Sequence, residues 1–531
     1  MKKLTKKAGA VAIALALSAG ALTACGGNSN DPGPGNTAGG GNNAGGAPTE
    51  ITMLVMGNKP TNGRVEAMLE KLNERLIEQT NATLALHYIE WADWQTQYNV
   101  QLLSGDSSID LITTATDWLF AWENAKKGAF LPLTDEMVQT HAPKTWAQVD
   151  ANGNWDLTRL PDGNIYFMPE DNYTQFTNHG FFYRGDWATE AGIPNGEITK
   201  FEEFTTYFTW VKQNKPEAYP WDVAGANESA LQGSWQGSTD FQTLMQITAG
   251  NYFPFQTKES DPFTVTSVLM EGDAYVKAAD VAKQWNDLGV WREDAINFDG
   301  DTREALYAGL SGADQHHTQT YLGQIWYNMT TKQEGSDPKM FYFGNENNNF
   351  FKDLKTHGAM AVSANSKNPE KALEVYDAIR NDQENHRLIN YGIEGVDYLI
   401  NDEGLLDRPE GWDPSKDGLD ANFWAGRMDE FMLRSITDHP DTDAIYADLN
   451  ARAKDYPYET LVIDKDPIES DLAAMAAVLS EYIPQLQYGK FDDPAAAIAE
   501  MRDKLNAAGY ENVRASLQEQ LDAWATERGL K

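Results

Sequence analysis

Cys25 is the only cysteine in this 531-residue chain, so it has no partner for an internal disulfide and its neighbours decide its chemistry. It closes the stretch Leu22-Thr23-Ala24-Cys25, behind Lys2, Lys3, Lys6 and Lys7 and an apolar run from Val11 to Leu17. A basic head, an apolar run well under the ~20 residues of a membrane span and small residues before the cut are the parts of a secretory signal peptide. The other reactive residue types make no recognisable centre. Eight histidines are scattered, and the adjacent His316 and His317 should point apart on any regular element, so no zinc spacing exists. Asp150, Asn152, Asn154 and Asp156 alternate as calcium ligands do, but Trp155 stands where such a loop needs glycine and Pro161 where it needs glutamate. Hairpin turns at Asn152-Gly153 and Asp162-Gly163 are expected there instead, with no metal or other cofactor. Gly309-Leu-Ser-Gly312 lacks the spacing of a nucleophile elbow. A glycosidase needs only two carboxylates ~5 Å or ~6.5–9.5 Å apart; 79 acidic residues leave that alternative open, although no barrel or propeller period supports it.

The stretch ending at Cys25 resembles a bacterial lipobox. That resemblance implies a diacylglycerol on the Cys25 thiol, removal of residues 1–24, and a membrane-tethered N-terminus; two acyl chains anchor stably where one binds reversibly. Residues 25–49 are almost wholly Gly, Asn, Pro, Ala, Ser and Thr, with nothing to bury. They form a flexible linker with a reach on the order of 25–30 Å. Cutting the leader removes four lysines, so basic residues fall from 42 to 38 against 79 acidic ones and the formal charge moves from −37 to −41. With no basic stripe after residue 50, nucleic acid is excluded as a partner.

The remaining chain exceeds what one core supports, so two domains are expected. It carries 16 Trp, 22 Tyr and 21 Phe, many of the tryptophans beside polar residues. Flat aromatic faces stack on the C–H faces of sugar rings, and neighbouring amides and carboxylates pair with hydroxyls, although domain interfaces use the same types. Ile51 to Met56 is a short apolar run that reads as a strand; Val65, Met68, Leu69, Leu72 and Leu76 repeat at helical spacing. Leu84, Leu86, Tyr88 and Ile89 suggest a second strand, Trp94 to Leu103 a second helix and Asp110 to Thr114 a third strand. Such β-α-β-α-β alternation implies a parallel sheet that binds ligands beyond the carboxyl ends of its strands. Asn58, Trp91, Trp94, Asp117 and Trp118 fall there and are the first-lobe candidates.

From here the chain resembles the extracellular solute-binding proteins of ABC importers, in their maltose-binding-like division. The likeness runs through Asp110 to Trp118 and Ala125-Lys-Lys-Gly-Ala-Phe-Leu-Pro-Leu-Thr134, then Gly163 to Glu170 and Gly180 to Trp187. It continues at Asn368-Pro-Glu-Lys-Ala-Leu373, Leu388 to Gly395, Leu505 to Val513 and Gln520 to Trp524, as in a subgroup of about 500 residues with extra C-terminal helices. It implies an α/β, two-lobed periplasmic-binding-protein-like fold (type II), hinged around a ligand cleft. The first lobe would comprise residues 50–165 and 356–400, and the second 166–355 and 401–531 with the helical region.

By the same resemblance, second-lobe contacts are expected at Glu170, Asn172 and Tyr173 past the first crossing, at Trp235 in a Gly/Ser/Gln-rich loop, and at Trp326 and Tyr327. Position in the family favours Trp326. Phe423 and Trp424, behind Asn422, are a further candidate pair on composition, and Asn345 to Asn349 with Phe350-Phe351 could form a cleft loop. The expected protein is a monomeric, non-enzymatic lipoprotein on the outer face of the cell membrane. It would deliver an extracellular oligosaccharide to a separate ABC permease; the alternatives are a peptide or other polar metabolite, or a surface glycoside hydrolase.

Overall fold

A computed structural model describes residues 46–531, apart from 92, 172–178, 226, 299 and 353. Cys25, Asn172 and Tyr173 lie outside the described residues, as do the leader and nearly all of the linker. Among the described residues, no helix is long and apolar enough to cross a membrane.

The first lobe begins with β1 (Thr49–Met56), α1 (Arg64–Thr80), β2 (Ala82–Ile89), α2 (Trp94–Leu103) and β3 (Leu111–Thr114), matching the alternation read from the sequence. β1 shows why. Ile51, Met53 and Val55 point to one face, against Val65, Met68, Leu72 and Leu76 of α1, whereas Leu54 and Met56 point to the other, with Ile112 and Tyr98. A strand apolar on both faces must be covered on both, which is the position of a central strand in an α/β sheet. β1 pairs in parallel with β2 and β3. α1 stops at Asn81, held at φ 52° in the left-handed conformation that asparagine tolerates.

After β4 (Met168–Pro169) the chain leaves this sheet for β5 (Gly180–Arg184), β6 (Phe241–Thr243), β7 (Gln256–Lys258), β8 (Asp261–Thr266), β9 (Ala313–His316) and β10 (Pro338–Tyr342). It returns at β11 (Ala359–Val362), which lies antiparallel between β3 and β4 and completes the order β2-β1-β3-β11-β4. The second lobe holds two antiparallel three-stranded sheets, β10-β5-β9 and β6-β7-β8. Its core is aromatic, with Phe181 4.7 Å from Trp221 between ring centroids, and it takes in Leu479, Met501 and Leu521 of the helices Glu469–Gln487, Pro494–Ala507 and Tyr510–Glu527.

Two local expectations change. Leu419, Ala421, Phe423 and Ala425 pack into the first-lobe core, although residues from 401 onward were placed with the second lobe. Their apolar faces meet the helix Pro369–Asn381, where the Tyr376 hydroxyl donates to the Ala425 carbonyl at 3.2 Å. Asn152-Gly153 ends the helix Pro143–Ala151 and does not turn a hairpin, while Asp162-Gly163 does lie in a turn closed by the Arg159–Ile165 bridge.

Three chain crossings run side by side between the lobes. The Glu170 amide donates to the Gly358 carbonyl at 2.8 Å, the Asp171 amide to the Arg427 carbonyl at 3.1 Å, and the Thr116 amide to the Thr356 carbonyl at 3.1 Å. These residues sit in loops and at element ends, where a hinge absorbs changes in φ and ψ.

Candidate functional site

The carboxyl ends of β2 and β3 carry the expected first-lobe residues, and the structure gathers most of them. Trp118 is the centre of the group: its ring centroid lies 6.1 Å from Trp91, 5.3 Å from Trp94 and 5.5 Å from Trp424. Trp91 and Trp118 stack at 30°, and Trp91 is 43 % exposed, so an open indole face remains for a partner. Asn58 ties down the Trp91 backbone, its Oδ1 accepting the Trp91 backbone amide at 3.2 Å. Trp424 arrives from a distant segment. Asn422, two residues before it, presses its amide against Gly57, where a Cβ would lie 1.9 Å from Nδ2; Gly57 sits at φ +149°. Phe423 divides from Trp424: it is buried in the first-lobe core, 6.2 Å from the Tyr376 ring, and presents no face to a solute.

Beside the tryptophans lies a titratable floor at the hinge. Asp117 Oδ2 pairs with His357 Nδ1 at 2.7 Å, while Asp117 Oδ1 and Trp118 Nε1 are buried with no partner among the described residues. Glu170, expected as a ligand contact, lies under the backbone of Gly358, where a Cβ would come 2.7 Å from its Oε1. Burial raises its pKa to about 8, opposed by the positive charges of His357, Arg427 and Arg380, so it sits in the hinge as a neutral acid at pH 7. His179, His316 and His317 converge on the second-lobe side, and His316 and His317 do not point apart: their ring centroids are 4.1 Å apart. β9 ends at His316 and His317 caps the next turn, which swings the two rings together. Burial lowers their pKa values to about 4, 3 and 2 respectively and keeps them neutral. Among the described residues, no group of three or more His, Cys, Asp and Glu could hold a metal ion.

Trp235 lies in the second lobe, in a setting other than the one expected. It lies on a helix, Ser229–Ser238, and not in a loop, because Gly233 and Gly237 let that helix close onto Phe201 and Phe343. Its indole lines a second-lobe cavity of about 280 Å³ with Phe241, Tyr252, Phe351 and Tyr456, among side-chain amides. His179, just before β5, and Asn349 and Phe351, between β10 and β11, are the lining residues closest in sequence to the crossings. Trp326 and Tyr327 do not join either group. Trp326 packs edge-on to His439 at 5.3 Å, Tyr327 is 39 % exposed, and neither lines the cavity. Glu228, Gln242, Tyr252 and Tyr456 of the cavity wall escaped sequence reasoning; the one usable signal was the Gly/Ser/Gln-rich stretch around Trp235.

Residues 61–385 match the family of bacterial extracellular solute-binding proteins, and residues 457–526 match a domain of unknown function. A carbohydrate ABC transporter substrate-binding protein of Streptococcus pneumoniae serotype 4 is 24 % identical over 98 % of this chain and 99 % of its own length. Among solved structures, the N-glycan transport solute-binding protein NgtS from Streptococcus pneumoniae, in complex with Man1GlcNAc, superposes with a TM-score of 0.67 at 20 % identity, over 90 % of this chain and 100 % of that one. The Streptococcus pneumoniae protein FusA, an EF-hand mutant holding fructo-nystose, gives 0.64 at 16 % identity over 90 % and 100 %. At these identities the likeness is one of fold, the two-lobed α/β fold of type II with its hinge. The family match spans more than half of the chain, and with it the chain belongs to the bacterial extracellular solute-binding proteins, as a receptor and not an enzyme.

Proposed function

We propose that this chain captures an extracellular oligosaccharide between its lobes and presents it to the membrane permease of an ABC importer. The observation that carries this reading is the group of Trp91, Trp94, Trp118 and Trp424 at the strand ends, beside a hinge whose other side holds an aromatic and amide-lined cavity. Indole faces take the C–H faces of sugar rings, and the amides take hydroxyls from the side. The streptococcal relative is named for carbohydrate transport, and the two neighbouring structures hold Man1GlcNAc and fructo-nystose; the same solute class is proposed here. A solute bridging both lobes gains contacts only in the closed form and so shifts the population toward it, which is the state a permease reads. Trp91, Trp118 and Trp424 serve as stacking faces, Asn58 and Trp94 hold them, and Trp235 supplies the second-lobe face. A diacylglycerol on Cys25 anchors the monomer at the outer face of the membrane.

The test is thermal unfolding of the leaderless chain carrying C25S against mono- and oligosaccharides, short peptides and polyamines. A ligand at 100 times its Kd adds about 2.7 kcal/mol to stability. A raised midpoint with an unmodified oligosaccharide supports the reading, and a response to peptides alone rejects it.

A further inference from the structure

The second-lobe cavity is unusual in what its wall lacks. Among the described residues, Glu228 and His179 are its only titratable side chains apart from tyrosine, and neither lysine nor arginine lines it. Glu228 stands at the N-cap of the helix Ser229–Ser238, yet its side chain caps no helical amide, and Asn227 serves the Ser229 amide instead. Among the described residues, no cation or donor pairs with the Glu228 carboxylate, which lies close enough to Tyr252 and Tyr275 to act on both electrostatically. Gln242 Oε1, Asn349 Oδ1 and the Tyr275 hydroxyl on the same wall are buried with no partner among the described residues. Two of these three are acceptors, and buried acceptors left unpaired are costly unless something brings donors to them. The cavity, about 280 Å³, falls just under the ~300–1,000 Å³ of sites that enclose a whole small molecule, so it suits one end of a longer solute.

From this wall we infer that the cavity is a subsite for an uncharged, hydroxyl-bearing terminal sugar unit, with Glu228 as the acceptor that reads its hydroxyls and rejects sugar acids. The inference rests on the oligosaccharide reading and deepens it. A terminal carboxylate would meet Glu228 with neither lysine nor arginine on the wall to offset the repulsion, and with His179 held neutral by burial, in a setting where charge is poorly screened. Burial raises Glu228 to about 7, so the carboxylate carries its full charge, and repels an acid fully, only above that pH. A neutral ring can stack on Trp235 or Tyr252 while its hydroxyls donate to Glu228, Gln242 and Asn349.

Calorimetric titration of the leaderless C25S chain at pH 8.5 decides this, using a neutral oligosaccharide that raises its midpoint together with versions carrying a terminal uronic acid and a terminal amino sugar. The neutral form should bind at least about 30-fold more tightly than the acid. E228Q should lose about 10-fold for the neutral form and narrow the neutral-to-acid ratio, because the glutamine keeps the shape and removes the charge. Acid and neutral forms binding wild-type protein equally would overturn the subsite, and that comparison stands even where E228Q fails to fold. A preference for the amino sugar above the neutral form would overturn the uncharged assignment. Unchanged affinity and ratio in a folded E228Q would also defeat it while leaving the receptor reading intact; no response to any oligosaccharide defeats the receptor reading itself.

Discussion

The tryptophan group of the first lobe and the cavity of the second use opposite means. The first presents an open indole, Trp91, stacked on Trp118, which Trp94 and Trp424 flank in turn; the second encloses amides and a carboxylate behind aromatic walls. Stacking is strong and tolerant of which sugar lies on it, because most pyranose rings offer a C–H face. Hydrogen bonding in an enclosed site is directional and discriminates, since an unmatched group is left buried and unpaired. The proposed function thus assigns affinity to the first lobe and selectivity to the second, with the hinge between them.

The largest effect should appear at that hinge. Glu170 holds its proton up to about pH 8 when folded and releases it near 4.5 when unfolded. The folded state therefore binds more protons across that window, and stability falls as pH rises through it, on the order of 3 kcal/mol. The histidines work in the other direction below pH 6.5: their folded pKa values are lowered, so stability falls as pH drops. Denaturant unfolding of wild type and E170Q at pH 5, 6, 7 and 8 isolates the glutamate, because the histidines are common to both. The stability difference should shift in favour of E170Q with rising pH, and parallel curves would show that Glu170 is ionised and paired in the hinge.

Trp118→Ala comes next and bears directly on the comparison. It removes the ring that Trp91, Trp94 and Trp424 all touch, and sugar binding should weaken by about 2–3 kcal/mol, the loss typical of a central aromatic anchor. If affinity resides in the first lobe, the loss should be similar for every sugar bound, leaving the ranking of sugars unchanged. A change of ranking would place selectivity in the tryptophans and undo the division. Gly57→Ala is a gentler version, since a methyl there must displace Asn422 and the turn carrying Trp424. It should cost about 1–2 kcal/mol in stability and weaken binding less than Trp118→Ala; an unchanged melting midpoint would mean that Asn422 moves aside freely.

How much of this could be read from the chain depends on how local the cause was. β1, α1, β2, α2 and β3 follow from periodicity, and their order brings Trp91, Trp94 and Trp118 to one sheet edge without further information. Trp424 joins them from over 300 residues away, and only the three-residue turn Trp424–Gly426 decides that it faces the group while Phe423 faces the core. His316 and His317 converge for a similar reason, a strand end meeting a helical cap. The cavity was least readable. Glu228, Gln242, Tyr252 and Tyr456 are ordinary residues in separate elements, joined only by tertiary packing, whereas Asn349 and Phe351 belong to the polar and aromatic stretch that the sequence offered as a cleft loop.

Trp326 gives the smallest expected effect and the sharpest contrast with reasoning by family position. The resemblance placed a stacking residue there, with a loss on truncation of ~1–3 kcal/mol as for an aromatic hot spot. In the structure Trp326 begins the helix Trp326–Lys332, packs edge-on to His439, and lines neither the cavity nor the tryptophan group. Trp326→Ala should therefore cost some stability through the lost His439 contact but change sugar affinity by less than about 0.5 kcal/mol, the range of substitutions away from a site. Titration of the folded variant with the sugar used for Trp118→Ala separates the two accounts. A loss as large as that of Trp118→Ala would mean that the solute reaches beyond the cavity to the Tyr321–Trp326 turn, extending the second lobe's share of affinity and breaking the division drawn between the lobes.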